Sequence, residues 1–92
     1  LQIMEKCAEG IALAGQYAAK GSVLAVSDAG CAAVLCKAAL QAASLNVFIN
    51  TKLMADRARA AALDVRADAL LAEFAPRADE VFTAVSGKLR NK

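Results

Sequence analysis

The stretch SDAGCAAVLCKAALQAASLNVFINTK, residues 27–52, decides the fold. It contains neither proline nor a glycine after Gly30, and alanine and leucine dominate it, so it is a strong helix former over more than twenty residues. Its polar residues are few and placed with helical spacing. At 100° per residue Lys37, Gln41 and Ser44 fall on one side with Thr51 close by, and this is read as a narrow wet stripe. Asn46 and Asn50 lie on the opposite side and are therefore expected to face inward, where an unpaired amide costs about 1–3 kcal/mol. Ala32, Cys36, Ala39 and Ala43 form a seam of small residues on that same side, and Asp28 projects onto it if the helix is continuous.

The flanks read as helices too. Ile3, Cys7, Ile11, Ala14 and Ala18 share one face of a first helix over residues 2–20, with Gln2, Lys6, Glu9, Gln16 and Lys20 on another. Gly21 suits a helix stop. Residues 21–28 are then expected to be a connector with Val23–Val26 tucked under the helices, and Ser27 or Asp28 caps a second helix over residues 29–50. A third follows, with Leu53, Ala60, Leu63, Ala67, Leu70 and Phe74 in step. Pro76 interrupts it, but the apolar phase continues through Ala78, Val81, Val85 and Leu89, so a kink and a break are both compatible, the kink preferred. No linker or repeat divides the chain. The expectation is one all-α domain over residues 1–92, a bundle of three long helices that packs as a dimer or higher oligomer, since 92 residues bury a modest share of their own surface.

Composition narrows the chemistry. The chain is 59% hydrophobic but only 4% aromatic, carries a net charge of +2, and has no histidine. A His-based triad is therefore excluded, and a zinc site has few ligands to draw on. Cys7, Cys31 and Cys36 form no CxxC pair and read as reduced, packed thiols of a cytoplasmic protein. Basic residues are mixed with acids along Lys52–Arg66 and form no block, which describes a solvated face rather than a nucleic-acid stripe. The longest uncharged run, Ala38–Thr51, includes Gln41, Ser44, Asn46 and Asn50, so no membrane span is expected from it.

Asp28 and Asn46 lie about 27 Å apart along one helix and cannot share a site within it. A second copy crossing antiparallel near Ala39, through the Ala32/Cys36/Ala39/Ala43 face, would set Asp28 of one chain beside Asn50 of the other, twice over.

Residues 26–52, VSDAGCAAVLCKAALQAASLNVFINTK, resemble the cyclodeaminase/cyclohydrolase family of folate enzymes, formiminotetrahydrofolate cyclodeaminase and methenyltetrahydrofolate cyclohydrolase. Ser27, Asp28, Ala29, Gly30, Asn46, Asn50 and Lys52 match its pattern in order and spacing, and AEGIALAGQYAAKG, residues 8–21, looks like its preceding helix. The likeness covers Leu1 to about Leu63 and corresponds to the C-terminal half of the family domain. It departs at Ser22-Val23-Leu24, where the family usually carries asparagines.

The resemblance implies a tetrahydrofolate derivative as substrate, no metal or tightly bound cofactor, and a tetrahedral carbon formed between two nitrogens. Such a reaction needs a proton shuttle and fixed hydrogen-bond donors. It assigns the shuttle to Asp28, and substrate binding to Ser27, Asn46, Asn50 and Lys52. The two amides would hold the pterin or the developing charge, and Lys52 the glutamate tail. The plainer readings are an N-cap for Asp28, register-fixing amides, a solvated lysine, and a non-catalytic helical oligomerisation module that kept the fold without the folate cleft.

Overall fold

In a computed structural model, which describes residues 1–20 and 23–90 and the side chains outside 19–25, the chain forms three helices. These are α1 (Gln2–Lys20), α2 (Val23–Leu53) and α3 (Arg57–Arg90). They lie side by side as a rod of 56 × 16 × 15 Å. α2 packs along both neighbours, and α1 also meets α3.

α1 contributes Met4, Ala8, Ile11, Ala14 and Ala18 to the core. The expected face is displaced by one position at its start, because Met4 is buried and Ile3 is 68% exposed. Ala33 and Leu40 from α2, with Ala67, Leu70 and Ala78 from α3, complete the main cluster. Small residues dominate it, which lets the helix axes come close. An added Cβ at Gly10 would stand 2.7 Å from Cys36 Sγ, and one at Gly30 would stand 2.8 Å from Val85 Cγ1.

α2 starts earlier than expected, at Val23, so residues 23–28 are helical and neither Ser27 nor Asp28 is an N-cap. Val26 is buried, as the tucked connector required. The proposed stop at Gly21 lies outside the described residues. The helical phase of α2 holds, with Gln41 exposed and Ala32, Cys36 and Ala43 packed inward as expected, but other polar residues are placed differently. Ser44 and Thr51 are buried and Lys37 is half-buried, whereas Asn46 and Asn50 are exposed. The hydroxyls can turn inward because each finds an acceptor one turn back: Ser44 Oγ donates to the Gln41 carbonyl at 2.6 Å. Lys37 reaches past the core to Asp79 on α3 at 2.6 Å.

α3 passes through Pro76 as a single helix, so the chain does not break there. Pro76 and Ala72, whose carbonyl loses its helical partner, are both exposed, and water can take up that carbonyl. The apolar seam that continues to Ala78 and Val85 holds the second half of the helix in line. Arg57 caps the end of α2, its Nη1 donating to the carbonyls of Thr51 at 2.8 Å and Met54 at 3.0 Å. Asp56 caps α3, its carboxylate accepting from the Arg59 amide at 3.0 Å.

The segment Val26–Leu53 is long and apolar enough to cross a membrane, with a mean hydropathy of 1.6, because its single mid-helix charge is Lys37. The uncharged-run estimate missed this. Lys37 is paired with Asp79, and Ser44 and Thr51 pack inward, so in this structure α2 serves as the central helix of the bundle.

Candidate functional site

α1 and α2 run antiparallel, which brings the first turn of α1 against the last two turns of α2. Asn46 and Asn50, one turn apart on α2, line a cleft of about 350 Å³ there with Gln2, Ile3, Met4 and Val47. Both amides are exposed and neither takes part in a side-chain hydrogen bond among the described residues. Their two NH2 groups and two carbonyl oxygens are thus open to a ligand. Gln2 was not among the expected site residues. The signal for it was the antiparallel order of two consecutive long helices, which sets the start of one beside the end of the next.

Lys52 lies two residues beyond Asn50 and is exposed. Beside it, Thr51 is held firmly. Its hydroxyl donates to Asp64 Oδ1 at 2.6 Å, with the Phe48 carbonyl at 3.2 Å. Together with the Arg57 cap this fixes the end of α2, and so the direction in which Asn50 and Lys52 leave the backbone.

Ser27 and Asp28 sit at the other end. Ser27 is half-buried and Asp28 exposed, so this chain by itself does not enclose the carboxylate. Along the helix Asp28 and Lys52 are about 36 Å apart. The structure therefore brings Asn46 and Asn50 together in one cleft, whose lining does not include Lys52, and leaves Ser27 and Asp28 apart from them. Gly30, in the same SDAG run, has a packing role: Val85 of α3 occupies the space where its side chain would be.

The Ala32/Cys36/Ala39/Ala43 seam is not an open face. Ala32, Cys36 and Ala43 are half-buried against the core of their own chain, with Cys36 seated over Gly10 of α1. Ala39 alone is exposed. Cys7 and Cys36 face one another across this contact, and burial, followed by the neighbouring Cys36, holds the Cys7 thiol above its ordinary pKa.

Residues 1–69 match the family model described as formiminotransferase-cyclodeaminase. The chain belongs to that family. It is 37% identical over 83 residues to a methenyltetrahydrofolate cyclohydrolase of Methylorubrum extorquens, an alignment covering 90% of this chain and 40% of the relative. The chain thus spans well under half the length of that relative. No solved structure matches. The family match ends inside α3, so the part of α3 from Leu70 onward, which carries Pro76, lies beyond that match, although the alignment with the relative covers 90% of the chain.

Proposed function

We propose that this chain binds a tetrahydrofolate derivative and acts in one-carbon chemistry of the cyclohydrolase or cyclodeaminase type, as the C-terminal part of such a domain. Membership of the family supports the reading, as does the activity named for the relative. The observation that carries it is the pair Asn46 and Asn50, two unspent amides on a largely apolar helix, lining a cleft. In this reading the amides orient the pterin and meet charge developing on the tetrahedral carbon between two nitrogens. Lys52 binds the glutamate carboxylates. Asp28, with Ser27 beside it, can move the proton between water or amine and the ring nitrogen only where another chain supplies it, because within one chain it lies about 33 Å from Asn50 along α2. The folate is the substrate, and a cytoplasmic setting follows from that role.

Thermal shift with 5-formyltetrahydrofolate tests it. Ligand at a hundred times its Kd adds about 2.7 kcal/mol, a rise in Tm on the order of 10 °C for a chain of this size. Asn46→Ala or Asn50→Ala weakens binding about tenfold, the loss of roughly one hydrogen bond. Alanine is the better helix former, so stability without ligand does not fall. A Tm that stays put at millimolar ligand overturns the folate reading.

A second reading, a helical assembly module without catalysis, is favoured by one observation: the two polar ends of α2 stay about 36 Å apart within one chain. It expects self-association with no folate-dependent shift.

A further inference from the structure

Cys7 on α1 and Cys36 on α2 meet in a contact that the folate reading does not use. Both are half-buried free thiols packed against the main core cluster, and both line a cleft of about 690 Å³. Glycine makes their approach possible. An added Cβ at Gly10 would stand 2.7 Å from Cys36 Sγ and 3.8 Å from Cys36 Cβ. Disulfide-bonded cysteines hold their Cβ atoms about 3.5–4.5 Å apart, so α1 comes within bonding distance of Cys36 at that notch. Cys7 lies three residues before Gly10 and hence on the same face of α1, its Cβ about 5–6 Å from the notch. The Cys36 sulfur therefore rests on the strip of α1 that carries Cys7.

The third cysteine sets this pair apart. Cys31 is five residues before Cys36, about 140° round the helix, and is exposed in the groove between α2 and α3. Within one chain it faces no other thiol.

We propose that Cys7 and Cys36 form a redox-responsive pair, which a small-molecule disulfide oxidises to an intrachain bond stapling α1 to α2. Rotation of the two side chains about χ1 brings the sulfurs together, and the exchange then runs in two steps. The thiolate of one cysteine attacks a sulfur of the small disulfide, forming a mixed disulfide and expelling one small thiolate. The thiolate of the other attacks the protein-bound sulfur, forming the Cys7–Cys36 bond and expelling the second. Two protons and two electrons leave the protein on the two small thiols. The cleft rim carries Glu5, Lys6 and Glu9, with Lys6 3.5 Å from Glu9, so a neutral disulfide meets no net attraction to overcome.

The staple has leverage because of where it sits. Met4, three residues before Cys7, belongs to the α1 wall of the Asn46–Asn50 cleft. A bond at Cys7 anchors that wall to α2. The proposal stands whether or not the cleft binds a folate.

The test uses the whole chain carrying Cys31→Ser, a change at an exposed position, equilibrated with 2-mercaptoethanol and its disulfide and then quenched in acid. The expected product is a monomer on a non-reducing gel, lighter by two hydrogens in the mass spectrum. Its tryptic digest should hold residues 7–20 linked to residues 21–37. The bond closes a ring of about thirty residues, so Tm should rise by roughly 10–20 °C over the reduced chain and fall back with dithiothreitol. Adding Cys36→Ser abolishes both the link and the rise. Wild type gives the same link with Cys31 left open to iodoacetamide, a readout that does not depend on the folding of the variant. Stable mixed disulfides at both positions with no internal bond overturn the proposal. So do links formed only between chains, a link that forms only in urea, or a Tm that falls on oxidation.

Discussion

Gly30 illustrates how a motif residue is fixed by packing rather than by chemistry. Its place in the SDAG run invites a functional role, yet a Cβ there would stand 2.8 Å from Val85 Cγ1 and 3.2 Å from Val85 Cβ. Valine is branched at Cβ and stiff, so it cannot swing aside. Gly30→Ala would gain helix propensity of up to about 1 kcal/mol but lose about 1–3 kcal/mol to overpacking. The expected result is a lower Tm, recovered in the double variant Gly30→Ala/Val85→Ala, whose smaller partner makes room. Cys7 provides a second residue-scale prediction. Its thiol is raised from 9.0 by burial first and by Cys36 second, so its alkylation rate should reach half-maximum at a higher pH than that of a peptide thiol. Cys36→Ser should move that midpoint only part of the way back. A thiol pKa higher in the folded than in the unfolded chain adds stability that is fully present below the unfolded value and is lost as pH rises through the folded one. Cys7 therefore weakens the fold only in alkaline solution.

Among the elements, α1 and α3 were largely legible because each alternates charge with apolar residues, and one face stands out. α2 was half legible. Its helical phase followed from spacing, but a helix apolar almost all round does not announce which side is inward, and assigning the whole polar stripe to water placed Gln41 correctly and misplaced Ser44 and Thr51. Serine and threonine at buried helix positions bond to the carbonyl one turn back, so they are cheap to bury, whereas an asparagine amide needs a partner from elsewhere. That difference in hydrogen-bonding reach, rather than polarity, separates Ser44 and Thr51 from Asn46 and Asn50. The start of α2 was misread for a related reason: Ser27 and Asp28 are good caps, but six further helical residues precede Ala29. Asn46 and Asn50 line one cleft that does not include Lys52, while Asp28 lay beyond the reach of any one-helix argument. The anchoring of that end gives a test at this scale. Thr51→Val leaves the half-buried Asp64 carboxylate without its 2.6 Å donor and should cost about 1–3 kcal/mol in urea unfolding.

For the whole molecule, the consequential feature is that the part of α3 beyond the family match is built into the bundle. Ala78 and Val85 are buried against the first two helices, Lys37 pairs with Asp79, and Lys88 Nζ donates to the Ala18 carbonyl at 2.6 Å, tying the far ends of α1 and α3 together. In a rod only 16 Å across there is no second layer to take over if one helix is shortened. Ending the chain after Glu73 would expose Ala18, Val26 and Ala29 along with the Cys31 end of α2, leaving that half of the rod as a two-helix hairpin. Such a pair of helices buries too little apolar surface to offset its chain entropy. The truncated chain should therefore lose cooperative thermal unfolding by circular dichroism at 222 nm, even though it retains every residue of the family match. Retention of a sharp transition would mean that the additional half-helix is dispensable and that the first 73 residues already hold the fold.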